Sequence, residues 1–212
     1  MHYAFDKWLV KHYPNVPWCR YADDGLVHCI SENEAKRLLK DIKQRFETCG
    51  LTLHPDKTKI IYCKDANRKG EYENTAFDFL GYTFRPRLSK TRNGNKLFCS
   101  FSPAVSKVAL KSMRFKIRKL GVRYRTDLSL IEIAAWLNPY IRGWLQYYGR
   151  YCPSAMYAMC RHVNKTLVRW AMWKYKGLRR HKIRASTFLQ RIAAQNSNLF
   201  AHWKQMMVGV FV

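Results

Sequence analysis

Two aspartates stand side by side at Asp23 and Asp24, followed by Gly25. Neighbouring carboxylates about 4 Å apart repel by roughly 4 kcal/mol at an effective dielectric near 20, so such a pair either faces water or shares a divalent cation. Mg²⁺ suits the second case. It takes one or two carboxylates and keeps its other positions for water and substrate phosphates. Asp23 and Asp24 are therefore the candidate catalytic and metal-holding residues, and the chemistry is phosphoryl transfer. A bare Asp-Asp-Gly is more often a solvated turn, because both residue types are ordinary turn formers. The elements around it have to decide.

Val16-Pro17-Trp18-Cys19 and Leu26-Val27-His28-Cys29-Ile30 suit β-strands, and Asp-Asp-Gly between them predicts a tight hairpin with the carboxylates at its tip. Ala4, Phe5, Trp8 and Leu9 predict a short helix before it, closed by Pro14, with Asp6 on its surface. Ser31 and Glu34 form a capping-box pattern, and Leu38, Leu39, Ile42 and Phe46 line one face of a helix from about 32 to 49 that packs beneath the hairpin. Leu51-Thr52-Leu53 reads as a strand, His54-Pro55-Asp56 as a turn, and Lys57-Thr58-Lys59 precedes the apolar Ile60-Ile61-Tyr62. His54 has no nucleophile or orienting partner at a meaningful spacing. Residues 63–75 are a polar loop. The alternating aromatics from Phe77 to Phe84 predict a strand, and residues 85–101 a hairpin turned at Asn93-Gly94 with Arg85, Arg87, Lys90, Arg92 and Lys96 along it.

From about Pro103 the pattern is helical. One helix carries Lys107, Lys111, Arg114, Lys116, Arg118 and Lys119, a second runs from about 128 to 137, and Pro139 suits the first turn of a third. A fourth, from about 155 to 176, sets Tyr157, Val163, Leu167, Trp170 and Trp173 among Arg161, Lys165, Arg169 and Lys174.

Composition fixes the class of partner. The 212 residues carry a formal net charge of +25, with 48% hydrophobic residues. Residues 1–84 hold 13 Lys/Arg against 12 Asp/Glu, whereas residues 85–212 hold 26 against 2, and no acidic residue follows Glu132. A solvated face mixes both signs, so this imbalance calls for a polyanion, and nucleic acid is the usual one. A membrane partner is not expected, since the basic part is rich in core-forming Trp and Leu and lacks a lipidation signal. The seven cysteines show no zinc spacing and are odd in number, as for reduced thiols. With no signal peptide or spanning segment, the expected location is bacterial cytoplasm or an equivalent organelle interior, without secretion.

Tyr21-Ala22-Asp23-Asp24 between apolar strands resembles the palm signature of group II intron-encoded reverse transcriptase/maturases. The segment at Lys57 is similar to that family's next palm motif. There the resemblance implies a lysine that approaches the incoming nucleotide's phosphates and can protonate the leaving pyrophosphate; Lys57 is chosen, with Lys59 left open. Phe79-Leu80-Gly81-Tyr82 resembles the primer grip. Leu-Asn-Pro-Tyr-Ile-Arg-Gly-Trp at 137–144 is similar to the maturase-specific motif, a helical domain that also serves as thumb. The Tyr-Ala-Asp-Asp and Leu-Asn-Pro-Tyr-Ile-Arg-Gly-Trp motifs stand in the expected order about 115 residues apart.

The resemblance implies an α+β fold: a partial palm of antiparallel strands with packed helices over 1–102, then a helical thumb/maturase domain over 103–212. It implies primer or nucleotide contacts from Tyr21, Ala22, Leu80 and Gly81. For RNA binding it points to Arg142, Gly143, Trp144, Tyr147, Tyr148, Arg161, Lys165 and Arg169, with arginine on phosphate and aromatics on bases. Mg²⁺ is the implied cofactor. Group II intron RNA and an RNA template with a DNA primer are the implied partners.

One departure is plain. Met1 stands only 20 residues before Tyr21, so the fingers and a further catalytic aspartate are not in the sequence. A two-metal clamp needs carboxylates from more than one element. The expectation is a C-terminal half that binds RNA but polymerises only with a separate finger-palm polypeptide; homodimerisation is a further expected association. The alternative is a stand-alone RNA-binding maturase or splicing factor. DNA cleavage is not expected, because the His and paired Cys ligands of the family's nuclease domain do not appear.

Overall fold

A computed structural model describes residues 1–68, 70–91, 93–94, 96–206 and 211. The chain is α+β, with two small antiparallel sheets followed by a helical half. A wide π-turn at His2–Asp6 leads into α1 (Lys7–His12). The hairpin of β1 (Trp18–Tyr21) and β2 (Asp24–Val27) follows, then α2 (Glu32–Thr48). Ser31 caps α2 by accepting from the Glu34 amide, while the Glu34 carboxylate reaches the Ile30 amide at 2.7 Å. Phe5, Leu9, Leu38, Ile42 and Phe46 form the small core under the hairpin, with Trp18, Val27, Leu51 and Leu53 against it.

The stretches 51–53 and 60–62 are not strands. Leu51 and Leu53 lie in extended coil on the small core, and the Leu51 amide bonds back to Phe46. The apolar pattern there reports burial rather than pairing, since no partner strand is available among the described residues. The expected single strand over 77–84 is instead two, β3 (Phe77–Phe79) and β4 (Tyr82–Lys90), and β5 (Leu97–Val105) completes a β3-β4-β5 sheet. The β4–β5 hairpin does turn through Gly94. Arg92, assigned to it from the sequence, lies outside the described residues.

β5 carries the extended chain to Val105, past the expected helical onset at Pro103. Ser106 then caps α3 (Lys107–Lys119) by accepting from the Ala109 amide. α4 spans Leu130–Tyr148 without a break, so Pro139 does not start a helix. Proline removes one backbone bond there. Ile133, Ala134, Leu137, Ile141 and Leu145 are buried on both sides of it, which offsets that loss, and Ser129 with Glu132 closes a full capping box. Asn138, next to the proline, donates to the Leu199 carbonyl and accepts from the Ala201 amide, fastening α4 to the C-terminal segment. α5 (Tyr157–Lys174), α6 (Lys182–Gln195) and α7 (Ala201–Met206) close the large core around Val163, Leu167, Trp170, Leu189 and Phe200.

Candidate nucleic-acid site

The carboxylate hairpin is tighter than Asp-Asp-Gly implied. Tyr21 pairs with Asp24 and Arg20 with Gly25, so the turn is Ala22-Asp23 and Asp24 is a strand residue. Two-residue hairpins need a positive φ at the first turn position to match the strand twist, and Ala22 supplies it at φ 51°. That conformation is uncommon for a residue with a Cβ and costs on the order of 1–2 kcal/mol. Gly25 is needed on the strand for another reason: a Cβ there would lie 3.2 Å from the Phe5 ring.

Asp6 is not a free surface residue. The Arg20 guanidinium grips it with two hydrogen bonds of 2.7 and 2.6 Å and donates a third, 2.6 Å long, to the Ala22 carbonyl. The Arg20 hydrogen bonds lower the Asp6 carboxyl to about 2. Arg20 thus links the chain's first turn to the strained residue beside Asp23. Only the tertiary approach of residues 6 and 20 reveals this; the sequence signal was a cation directly before Tyr21.

Asp23 and Asp24 are both exposed, as is Tyr21, and neither carboxylate joins a salt bridge among the described residues. Two open carboxylates suit one Mg²⁺ that takes its remaining positions from water and phosphate. No group of three or more His, Cys, Asp or Glu side chains converges anywhere among the described residues. Lys57 is exposed at the end of a turn, with no ion pair to either aspartate.

A second two-residue turn lies at Leu80-Gly81. Phe79 pairs with Tyr82, and both turn residues have positive φ, 51° and 78°. Leucine there is held by contacts from α4. The Tyr147 hydroxyl donates to the Leu80 carbonyl at 3.1 Å, and the Tyr82 hydroxyl donates to the Tyr147 carbonyl. Tyr148 fills the space over Gly81 so closely that a Cβ would meet its hydroxyl oxygen at 2.6 Å. Burial among these rings raises the Tyr82 and Tyr148 hydroxyls above the ordinary tyrosine value.

Tyr147 and Tyr148, expected as base stackers, also bind the hairpin turn to the helical half, with Tyr147 exposed and Tyr148 half-buried. Trp144 is half-buried against the large core and lines a cleft of about 620 Å³ with Tyr140, Tyr148, Lys116 and Asp78. Arg142 and Gly143 are exposed on α4, and Arg161, Lys165 and Arg169 are exposed on α5. The half-buried His162 between them is lowered by burial, then by Arg118, Arg114, Arg169 and Lys165. Cations of α3 and α5 thus lie close enough to His162 to act on it together.

A carboxylate-tipped hairpin, a second hairpin locked to a helix, and a basic helical half define a nucleic-acid-handling protein built on part of a polymerase palm. Residues 1–84 match the family "Reverse transcriptase (RNA-dependent DNA polymerase)", and residues 110–188 match "Group II intron, maturase-specific domain". The chain belongs to the group II intron reverse transcriptase/maturase family. No curated protein matches it significantly. The two domains imply binding to intron RNA and RNA templates. No helix among the described residues is long and apolar enough to cross a membrane.

Proposed function

We propose that the chain supplies the Asp23–Asp24 hairpin of an RNA-directed DNA polymerase and an RNA-binding surface that serves intron splicing and mobility. The observation that carries this is the pair of strained hairpin turns, Ala22-Asp23 and Leu80-Gly81, the second locked to a basic helical domain. Asp23 and Asp24 would hold Mg²⁺, which when bound supplies Lewis-acid stabilisation of the phosphoryl oxygens. Tyr21 and Ala22 flank the incoming nucleotide, Leu80 and Gly81 bear on the primer end, and Lys57 protonates the leaving pyrophosphate. Arg142, Gly143, Trp144, Tyr147, Tyr148, Arg161, Lys165 and Arg169 contact RNA. The domain division falls near residue 102, and the site of action is the cytoplasm or an organelle interior.

Two carboxylates on one hairpin are fewer than a two-metal clamp uses, so the polymerase site is completed by finger-palm residues beyond the Asp23–Asp24 hairpin. The basic half, 26 Lys/Arg against 2 Asp/Glu over residues 85–212, supports one alternative, an RNA-binding maturase without polymerase activity.

Primer extension on an RNA template with Mg²⁺ separates the two. The chain is assayed alone, with a separately expressed finger-palm half, and as Asp23→Ala. Extension that needs the partner and disappears in Asp23→Ala is the expected result. No extension in any mixture, with salt-sensitive RNA binding, leaves the maturase function; extension by the chain alone refutes the need for a partner. If residues 85–212 engage about eight phosphates, log affinity falls against log salt with a slope of roughly −6 to −7.

A further inference from the structure

Along α5, Tyr157, Arg161, Lys165, Arg169 and Trp173 recur every four residues, and all five are exposed. Residues four apart form one ridge on a helix, each step rising about 6 Å. The ridge therefore presents three consecutive cations between two aromatic rings. Its inner face is fixed, because Val163, Leu167 and Trp170 are fully buried.

The Trp173 end is built as a platform. Trp173 is 64% exposed and Tyr124 56%, and their rings meet edge to face with centroids 6.0 Å apart. The Arg123 guanidinium sits 4.5 Å from the centre of the Tyr124 ring. Two anchors hold this turn against α5. The Trp170 indole donates to the Arg125 carbonyl at 2.9 Å, and the Lys174 ammonium donates to the carbonyls of Thr126 and Leu128 at 2.9 and 2.8 Å. The nearby carboxylates are engaged elsewhere, Asp127 with Arg125 and Glu132 in the cap of α4.

We infer that this ridge is a track for single-stranded RNA, with phosphates on Arg161, Lys165 and Arg169 and an unpaired base stacked on the Trp173–Tyr124 platform. Charge complementarity selects the occupant, since no acidic residue follows Glu132. Exposed aromatic faces beside a row of cations are what a flexible strand uses, because every base offers a π-face while a duplex hides its own. The inference rests on the RNA-binding role proposed above and adds a stacking station on α5, separate from the α4 aromatics.

The test measures anisotropy of a labelled single-stranded RNA oligonucleotide over a salt series, using the full chain, Trp173→Ala, Trp173→Phe and Arg169→Gln. Circular dichroism checks that each variant is folded. Trp173→Ala should weaken binding roughly 5- to 150-fold without changing the salt slope, and Trp173→Phe should restore most of it. Arg169→Gln should instead make the slope shallower by about 0.7. Salt-sensitive binding that is unchanged in Trp173→Ala overturns the track and leaves the RNA-binding role standing. So does a blunt RNA duplex that binds equally well and responds equally to Trp173→Ala. Wild-type chain with no salt-sensitive RNA binding overturns both.

Discussion

His202 should make the helical half acid-sensitive well above the range in which its carboxylates titrate. The ring is fully buried, with Nε2 2.7 Å from Asn164 Oδ1. That same oxygen accepts from the Trp203 indole at 3.0 Å. Because the indole can only donate, the Asn164 atom is the oxygen, and His202 must carry its proton on Nε2. Nδ1 is then a bare acceptor, buried with no hydrogen-bond partner among the described residues. Protonating it would place a charge in apolar surroundings, and burial depresses the group from 6.5 to about 3. Above 6.5 neither the folded nor the unfolded chain binds the proton. Between 6.5 and about 3 only the unfolded chain does, so stability falls as pH falls. From about pH 7 to about pH 5 the loss is about 2 kcal/mol, and it levels off once the folded state also protonates. His202→Phe removes the titration while leaving Asn164 its bond from Trp203. Urea denaturation followed by helical circular dichroism at both pH values measures the difference. His162, also depressed by burial, adds acid sensitivity to both proteins and cancels in the comparison. Equal pH dependence in wild type and His202→Phe would refute the buried neutral tautomer.

The two hairpin turns should respond oppositely to glycine and alanine. Ala22→Gly relieves the positive φ and should stabilise by up to about 1 kcal/mol, whereas Gly81→Ala should cost about 1–3 kcal/mol through its own positive φ and the clash with Tyr148. Thermal melts rank both, and a stable Gly81→Ala would refute the packing of Tyr148 on that turn. Arg20→Gln should return the Asp6 carboxyl from about 2 toward the ordinary 3.8, as followed by carboxyl ¹³C titration. The Asp6–Arg20 pair contributes its full stability above 3.8 and loses it as pH falls through about 2, so the effect of Arg20→Gln on melting should shrink toward zero as pH is lowered past about 2. An Asp6 titration unmoved by the substitution would show that Arg20 does not hold the hairpin.

Local pattern carried much of the architecture. The 3.6-residue spacing of Leu38, Ile42 and Phe46 and the cap at Ser31 marked α2 to within a residue, because helix ends and amphipathic faces are set by neighbours in sequence. Adjacent aspartates between apolar runs marked a carboxylate hairpin, and the charge split marked the helical half as the basic one. What local pattern missed were conformations that cost energy locally. Ala22 and Leu80 adopt positive φ, and Pro139 stays inside a helix, against the propensity of each residue. The cost of each is offset by tertiary contacts: at the first turn by Arg20, itself held by the distant Asp6, at the second by Tyr147 and Tyr148, and at the proline by the burial of the α4 flanks in the core.

The sequence by itself determined the chemistry available to this protein: two adjacent carboxylates, an unbalanced basic half, and helices with apolar stripes, all properties of residue type and spacing. Tertiary structure alone decided which aromatics remain open to a ligand. Trp144 and Tyr148 are drawn onto the core and the Leu80-Gly81 turn, while Trp173 and Tyr124 are left facing solvent. Residue type cannot distinguish them, because a ring is buried or exposed according to which distant surface the fold brings against it.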